Sequence, residues 1–174
     1  MVAVGYVGWQ VRESVRQFQL FFPILQHNHF YLLCVDFKTE PLEIIDNSAS
    51  TEATQVKYGD TIENVKLLLS KYFTSVGEKF KSIICENLKC KRMSMKWWDT
   101  RNTVDYGVYL MRHMESYVGE SVAKWDCGLT SGDRLQLQML HLRYMKELST
   151  VDINAHSTTD NYGSRVELVV PHPY

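Results

Sequence analysis

The stretch Asn102-Thr103-Val104-Asp105-Tyr106-Gly107-Val108-Tyr109 does most to indicate the fold of this chain. It opens a segment in which apolar and ring side chains recur every three or four residues, the spacing of one buried helix face. The members of that face are Tyr106, Tyr109, Leu110, His113, Met114 and Tyr117. The stretch therefore predicts an amphipathic helix that begins near Tyr106 and packs on a core.

Length and composition favour one domain with a real core. The chain has 174 residues, of which 45% are hydrophobic, and its net charge is −1. That balance argues against strong attraction to nucleic acid or to an anionic membrane. No apolar run reaches the roughly 18 residues of a membrane span, and no basic signal segment opens the chain. We expect a soluble protein of the nucleus or cytoplasm.

Four cysteines are too few for a disulfide framework. Cys34 lies in an apolar run and Cys85 follows Ile83-Ile84, so buried, reduced thiols are expected. Cys85 and Cys90 are too widely spaced for a two-residue zinc knuckle, and no histidine pair lies nearby at ligand spacing. We assign no metal and no cofactor.

The order of the predicted elements indicates an α+β domain. An irregular segment occupies 1–17, the domain 18–150, and a loose tail 151–174. Within the domain we expect strands at Leu20–Leu25, Phe30–Val35 (buried on both faces), Leu42–Ile45 and Met93–Trp97, with a turn at Lys38–Pro41 and a polar loop at 47–57. A helix is predicted to begin after an N-cap at Asp60, with Glu63 completing a capping box. Gly77 is predicted to end this helix. Its predicted inner face is Ile62, Val65, Leu68, Leu69, Tyr72 and Val76. A last helix near Asp133 would bury Leu137, Leu140, Tyr144, Met145 and Leu148.

The opening stretch resembles Asn-x-x-Asp-Cys-Gly-Val-[Phe/Tyr], the nucleophile motif of the ubiquitin-like-protein-specific proteases, the SUMO protease family. The likeness extends over roughly Phe18 to Leu148 and is greatest to plant and transposon-associated members, in Tyr58-Gly59-Asp60 and Met111-Arg112-His113-Met114-Glu115. It implies a papain-like cysteine protease fold of the SUMO protease type, N-terminally truncated here.

The resemblance also implies the remaining parts of a thiol protease site. In the family, a histidine leads into a hydrophobic strand, and an aspartate ends the next strand. His29 before Tyr31–Val35 matches the base, and Asp46 after Leu42–Ile45 matches the acid that orients it. Taken singly, His29 could be an exposed loop histidine beside His27, and Asp46 an ordinary turn residue.

Three departures from the family pattern weaken the expected chemistry. Tyr106 stands where the nucleophilic cysteine belongs, and Thr100 stands where the oxyanion glutamine belongs, six positions earlier. Only 28 residues precede His29, so the N-terminal portion is short, and Trp9 is the candidate for the family's channel tryptophan. A phenol titrates near pH 10, against about 8.5 for a thiol, so the Tyr106 side chain stays mostly protonated at neutral pH. A role in packing is therefore favoured for Tyr106.

Two further features admit functional and structural interpretations. Asp126-Cys127-Gly128 matches the Asp-Cys-Gly of the nucleophile motif residue for residue. The next helix, however, begins several residues later, and Ser121 occupies the position of the glutamine. Cys127 is therefore interpreted as structural, like Trp125. The segment Lys79–Lys96 carries six basic residues against Glu86. It could meet an acidic modifier surface or nucleic acid, although a solvated, partly strand-like face is the favoured interpretation.

Three functions remain open from the sequence. The leading one is a degenerate ubiquitin-like-protein protease domain that lacks hydrolysis and binds SUMO, a related modifier or its conjugates. The second is an active cysteine-type isopeptidase in which another thiol, Cys34 or Cys127, reaches His29. The third is a protein-interaction module that pairs with a full-length paralogue. A long exposed apolar patch would support this function.

Overall fold

The computed structural model describes residues 19–37 and 41–150. The predictions for the irregular segment 1–17, for Trp9, for the turn residues 38–40 and for the tail 151–174 lie outside the described residues.

The described chain forms four strands and five helices, with three of the strands before the first helix, which confirms the predicted α+β class. In chain order they are β1 (Gln19–Gln26), β2 (His29–Asp36), β3 (Pro41–Ile45), α1 (Thr54–Tyr58), α2 (Thr61–Ser75), α3 (Lys79–Asn87), β4 (Lys89–Arg92), α4 (Tyr106–Ser116) and α5 (Arg134–Thr150). The strands form one mixed sheet in the order β1-β2-β3-β4, with β4 parallel to β3. None of the helices in the described ranges has the length and apolarity needed to span a bilayer.

A two-residue turn joins β1 to β2 and fixes where His29 begins its strand. His27 and Asn28 both have positive φ, 50° and 61°, and the flanking Gln26 and His29 are paired across the hairpin. Positive φ at both central residues is the signature of a type I′ turn, whose twist matches that of the paired strands. His29 is therefore the first residue of a strand and no part of a loose loop.

The sheet is the middle layer between two groups of helices. On β2, Leu32 and Cys34 belong to a core with α4 and α5, whereas Tyr31, Leu33 and Val35 belong to a core with α2 and α3. Because side chains alternate along a strand, both faces of β2 are covered. The prediction of a strand buried on both faces is confirmed, since residues 31–36 are all buried.

The predicted inner face of α2 is half right. Ile62, Val65 and Leu69 are buried, but Leu68, Tyr72 and Val76 are 40%, 50% and 51% exposed. The buried stripe is rotated toward Lys66, Ser70 and Phe73 because α3 packs along that side, where the Ser70 and Ser82 hydroxyls are 2.9 Å apart. Packing against α3 therefore decides which face of α2 is buried, and the local sequence pattern carries no information about that contact.

The predicted capping box at α2 is wrong. Asp60 is the N-cap residue but its side chain forms no capping hydrogen bond. Its Oδ1 instead accepts a hydrogen bond from Gln55 Nε2 at 3.0 Å. That bond is possible because α1 begins at Thr54 inside the segment 47–57, which was predicted to be loop throughout.

The segment 79–97 also differs from its prediction. Lys79–Asn87 forms α3, and the strand is Lys89–Arg92 rather than Met93–Trp97. Met93 and Trp97 are buried while Lys96 is exposed, so the alternation is real. Met93 and Trp97 belong to the core formed with α4 and α5, and after the Met93 N–H, which donates to Ile44 O at 2.9 Å, the segment joins no strand among the described residues. Alternation alone does not supply the ladder of hydrogen bonds that makes a strand.

Helix α4 begins at Tyr106, as predicted, and buries Tyr109, Leu110 and His113, with Tyr106 and Met114 half-buried, and Tyr117 is buried at its C-cap. Helix α5 begins at Arg134 and buries Leu137 and Tyr144, with Leu140 half-buried. Met145 and Leu148, predicted to face inward, are 66% and 55% exposed. Only one narrow side of α5 meets the core.

Candidate functional site

The sheet register brings His29 and Asp46 together. Leu32 is paired with Ile45 across β2 and β3, so continuing the ladder places Asp46 opposite Tyr31. His29 lies two residues from Tyr31 on the same strand face and is therefore the diagonal neighbour of Asp46. His29 Nε2 lies 2.8 Å from Asp46 Oδ1. Two residues seventeen positions apart thus form a direct pair.

Asp46 is held by four donors. Besides the His29 Nε2–H, its carboxylate accepts the Ser48 backbone N–H, the Lys57 ammonium and the Tyr58 hydroxyl, each at 2.8 Å. The Asp46 side chain has no exposed surface, so these bonds replace its hydration completely. Buried carboxylates persist as anions only with such compensation.

The electrostatics of the pair follow from those contacts. Burial by itself raises the pKa of the Asp46 carboxyl, but the His29 bond and charge, the Lys57 bond and the Ser48 amide together hold it well below its usual value. Asp46 is therefore ionised at neutral pH. An ionised acceptor requires that His29 Nε2 carries a proton, which leaves Nδ1 as the basic atom of a neutral imidazole.

Tyr106 is the residue that meets the imidazole. It is the first residue of α4, and its ring lies edge-on to that of His29 with the centroids 4.2 Å apart. Burial and the charge of Asp46 both raise the pKa of the Tyr106 phenol. The structure thus brings together three of the four predicted site residues, His29, Asp46 and Tyr106.

Thr100 is not part of this assembly. It is exposed, and within the described chain it forms no hydrogen bond with His29, Asp46 or Tyr106. The loop that carries it is nevertheless attached to the site, since the Asp99 N–H donates to Asn47 O at 3.1 Å. The side-chain amide of Asn47 is buried, and neither of its polar atoms bonds to any described residue.

The alternative thiols lie in the core. Cys34 is five residues beyond His29 on β2, about 16 Å at ~3.3 Å per residue, and its side chain points to the opposite face of the strand. Burial, with Glu43 and Asp36, raises the pKa of the Cys34 thiol well above its usual value. Burial raises that of Cys127 to about 11. Cys85 is also buried and Cys90 is exposed, and all four thiols are free.

Three residues that support Asp46 were not found from the sequence as parts of the site. The sequence pattern predicts Lys57 in a polar loop, and only the family resemblance points to Tyr58. Arg92 donates to Ser50 O and Ser48 O at 2.7 and 2.8 Å, and its guanidinium lies 5.6 Å from the centroid of the Tyr58 ring. No local pattern signals these roles, because β4 and α1 meet the end of β3 only in the folded chain.

A cavity of about 180 Å³ borders the site and is lined by Gln26, His27, His29, Tyr31, Lys57 and Tyr58. A second cavity, of about 740 Å³, lies between the loop before α4 and the first turns of α5, with Asn102, Asp105, Arg134 and His141 among its lining residues, and neither His29, Asp46 nor Tyr106 lines it. Its volume is in the range of ligand-binding clefts. Among the residues that the structure describes, no three histidine, cysteine or acidic side chains cluster to hold a metal ion.

The chain matches no protein-family model, and neither a curated protein nor a solved structure is significantly similar to it.

Proposed function

We propose that this chain is a catalytically degenerate member of the ubiquitin-like-protein-specific protease family, which lacks peptide-bond hydrolysis and binds a ubiquitin-like modifier or its conjugates. The observation that carries the proposal is the arrangement of three residues. His29 Nε2 is 2.8 Å from Asp46, and the first residue of α4 contacts the imidazole ring. These are the relations expected between the base, orienting acid and nucleophile positions of that family.

Tyr106 explains why hydrolysis is lost. Thiol proteases need a nucleophile that ionises near neutral pH and a donor set for the oxyanion. The Tyr106 phenol has a raised pKa, and its aryl ester would be a poor intermediate for cleavage of a peptide bond. Thr100 offers one short hydroxyl on an exposed loop in place of a glutamine amide.

An active isopeptidase that uses another thiol is disfavoured by burial. Cys34 and Cys127 are 1% and 0% exposed, and burial raises the pKa of both thiols. A reactive cysteine needs the opposite, a lowered pKa and access to substrate. Cys90 is exposed, but burial raises the pKa of its thiol despite the nearby Lys66 ammonium.

The decisive experiment uses ubiquitin and SUMO proteins that carry a thiol-reactive group at the C-terminus. We expect no covalent adduct that depends on His29, judged by comparison with His29→Ala, and saturable binding of at least one unmodified modifier by calorimetry. Covalent labelling of Cys34 or Cys127 that is lost in His29→Ala would overturn the loss of hydrolysis, whereas the exposed Cys90 serves as the background for non-specific reaction. Absence of binding across the modifiers would overturn the binding role.

A protein-interaction module is the second candidate, and the outer surface of α5 favours it. Leu135, Met139, Leu142 and Met145 are each 64–67% exposed, and their spacing places them on one side of the helix. Exposed apolar groups at this spacing are typical of a helix that packs on a partner. Light scattering of the chain and of Leu142→Glu would test it, because self-association that the substitution removes would support an interface on α5.

A further inference from the structure

Strand β4 is an open edge of the sheet. It ends the strand order, and within the described ranges it is paired only with β3. Lys89, Cys90 and Lys91 are all exposed, and Arg92 is half-buried. An edge strand of this kind presents unpaired backbone N–H and C=O groups along its outer side, to which another extended segment can bond.

The side chains of this edge are cationic, and the nearby acids are already engaged. Lys89 takes part in no ion pair among the described residues, and the Lys91 ammonium lies 3.8 Å from Glu43. Glu43 is buried and accepts the Tyr117 hydroxyl. Glu86, the single acid between Lys79 and Lys96, accepts the Ser70 hydroxyl at 2.6 Å. The open edge therefore carries positive charge that the protein does not fully neutralise.

We propose that the β4 edge binds an extended acidic segment of another protein, which joins the sheet as an added strand. Backbone hydrogen bonds to β4 would hold the segment, and its carboxylates would meet Lys89 and Lys91. A strand alternates its side chains between faces, so acidic residues at every second position would lie beside Lys89 and Lys91, which share one face.

Other occupants fit this edge less well. In a second copy of β4, lysines would oppose lysines across the new pair, an arrangement that strand edges use to prevent self-association. Nucleic acid would use the charge but not the unpaired backbone groups. Residues 1–18 contain only Glu13 as an acid, and residues 151–174 contain only Asp152, Asp160 and Glu167, with no acidic alternation.

Cys90 provides a reporter in the middle of this edge. It is the exposed thiol of β4, whereas Cys34, Cys85 and Cys127 are buried. A strand paired with β4 would place a side chain next to the Cys90 thiol on the same face of the sheet. Its alkylation rate therefore reports occupation of the edge.

The test uses the full chain and a synthetic peptide, acetyl-Glu-Val-Glu-Val-Glu-Val-Glu-amide, with fluorescence anisotropy for binding and mass spectrometry for Cys90 alkylation. We expect saturable binding that weakens as salt increases, together with slower alkylation of Cys90. Two comparison peptides replace Val by Pro, which keeps the charge but cannot form a strand, or Glu by Lys. Neither should bind or protect Cys90.

A matched pair of variants locates the contact. Lys89→Gln with Lys91→Gln should weaken binding of the Glu-Val peptide by about two- to thirtyfold, since two exposed ion pairs that contribute ~0.2–1 kcal/mol each are lost. Lys71→Gln with Lys79→Gln makes the same charge change away from the strand and should leave affinity unchanged. Equal binding of the proline peptide, equal loss in both variants, or no binding of the Glu-Val peptide would each overturn the proposal.

Discussion

The ring of Tyr106 meets the imidazole of His29 edge-on, with the ring centroids 4.2 Å apart. The other side of that imidazole is fixed, because Nε2 bonds to the buried carboxylate of Asp46. A tyrosine at the first residue of α4 therefore occupies the position from which a thiol would exchange its proton with His29. Under the proposed function, the acid and base positions keep their residues while an aromatic contact stands at the nucleophile position.

Restoring the motif residues should restore reactivity. We expect Tyr106→Cys with Thr100→Gln to form a covalent adduct with a C-terminally activated ubiquitin-like protein, because the His29–Asp46 pair and the helix start favour a thiolate. Tyr106→Cys alone should react about 100-fold more slowly, which is the usual cost of one missing oxyanion donor. Adding His29→Ala to the double variant is the control. An adduct that survives His29→Ala would argue against the assigned base.

Removing the charge of Asp46 should destabilise the fold. Asp46→Asn leaves the partly buried Lys57 ammonium without its carboxylate and weakens the bonds from His29 and Tyr58. Breaking a buried ion pair from one side costs about 3 kcal/mol or more, which urea denaturation would detect as a lower midpoint. Glu52→Gln, at an exposed acid, should change the unfolding free energy by less than about 0.5 kcal/mol. Equal urea midpoints for the two variants would show that the bonds to the Asp46 carboxylate do not stabilise the fold.

Stability should fall on mild acidification because of His113. The side chain is completely enclosed and accepts the Trp97 Nε1–H at 3.0 Å, and burial lowers its pKa to about 3. The folded state favours neutral histidine, so its contribution is complete above the unfolded pKa of about 6.5 and is lost as pH falls below that value. Between pH 7 and pH 5 the unfolding free energy should drop by about 2 kcal/mol from this group.

His113→Gln separates this effect from other titrations, since glutamine can accept the same Trp97 N–H without titrating. Urea denaturation of both proteins at pH 7 and pH 5 is the measurement. The pH-dependent loss should be smaller in the variant by about the same 2 kcal/mol. A parallel loss in both proteins would exclude His113 as the source.

The four thiols should differ sharply in reactivity. Cys90 should be alkylated by iodoacetamide in the native protein, whereas Cys34, Cys85 and Cys127 should react only after denaturation. Intact-mass measurement should find one adduct per chain, and peptide mapping should place it at Cys90. Rapid native modification of Cys34 or Cys127 would revive the alternative of an active isopeptidase.

The local sequence was sufficient for elements whose pattern and surroundings agree. Helix α4 begins at Tyr106, and β2 is buried on both faces, as the apolar periodicity and the apolar run predicted. The apolar periodicity did not predict the buried face of a helix where apolar residues lie on several of its sides, because the packing neighbours decide which side is buried. Tyr72 and Val76 on α2, and Met145 and Leu148 on α5, are exposed because the core contacts each helix along a different or narrower stripe.

The sequence by itself determined which residue types stand at the candidate site: a histidine before a strand, an aspartate after the next, and a tyrosine at a helix start. Only the tertiary structure decided that Asp46 lies diagonally across from His29 and that Lys57 and Tyr58 share its carboxylate. The reason is physical. Helix and strand patterns reflect contacts over a few residues, whereas the environment of a buried charge depends on segments that meet only when the chain folds.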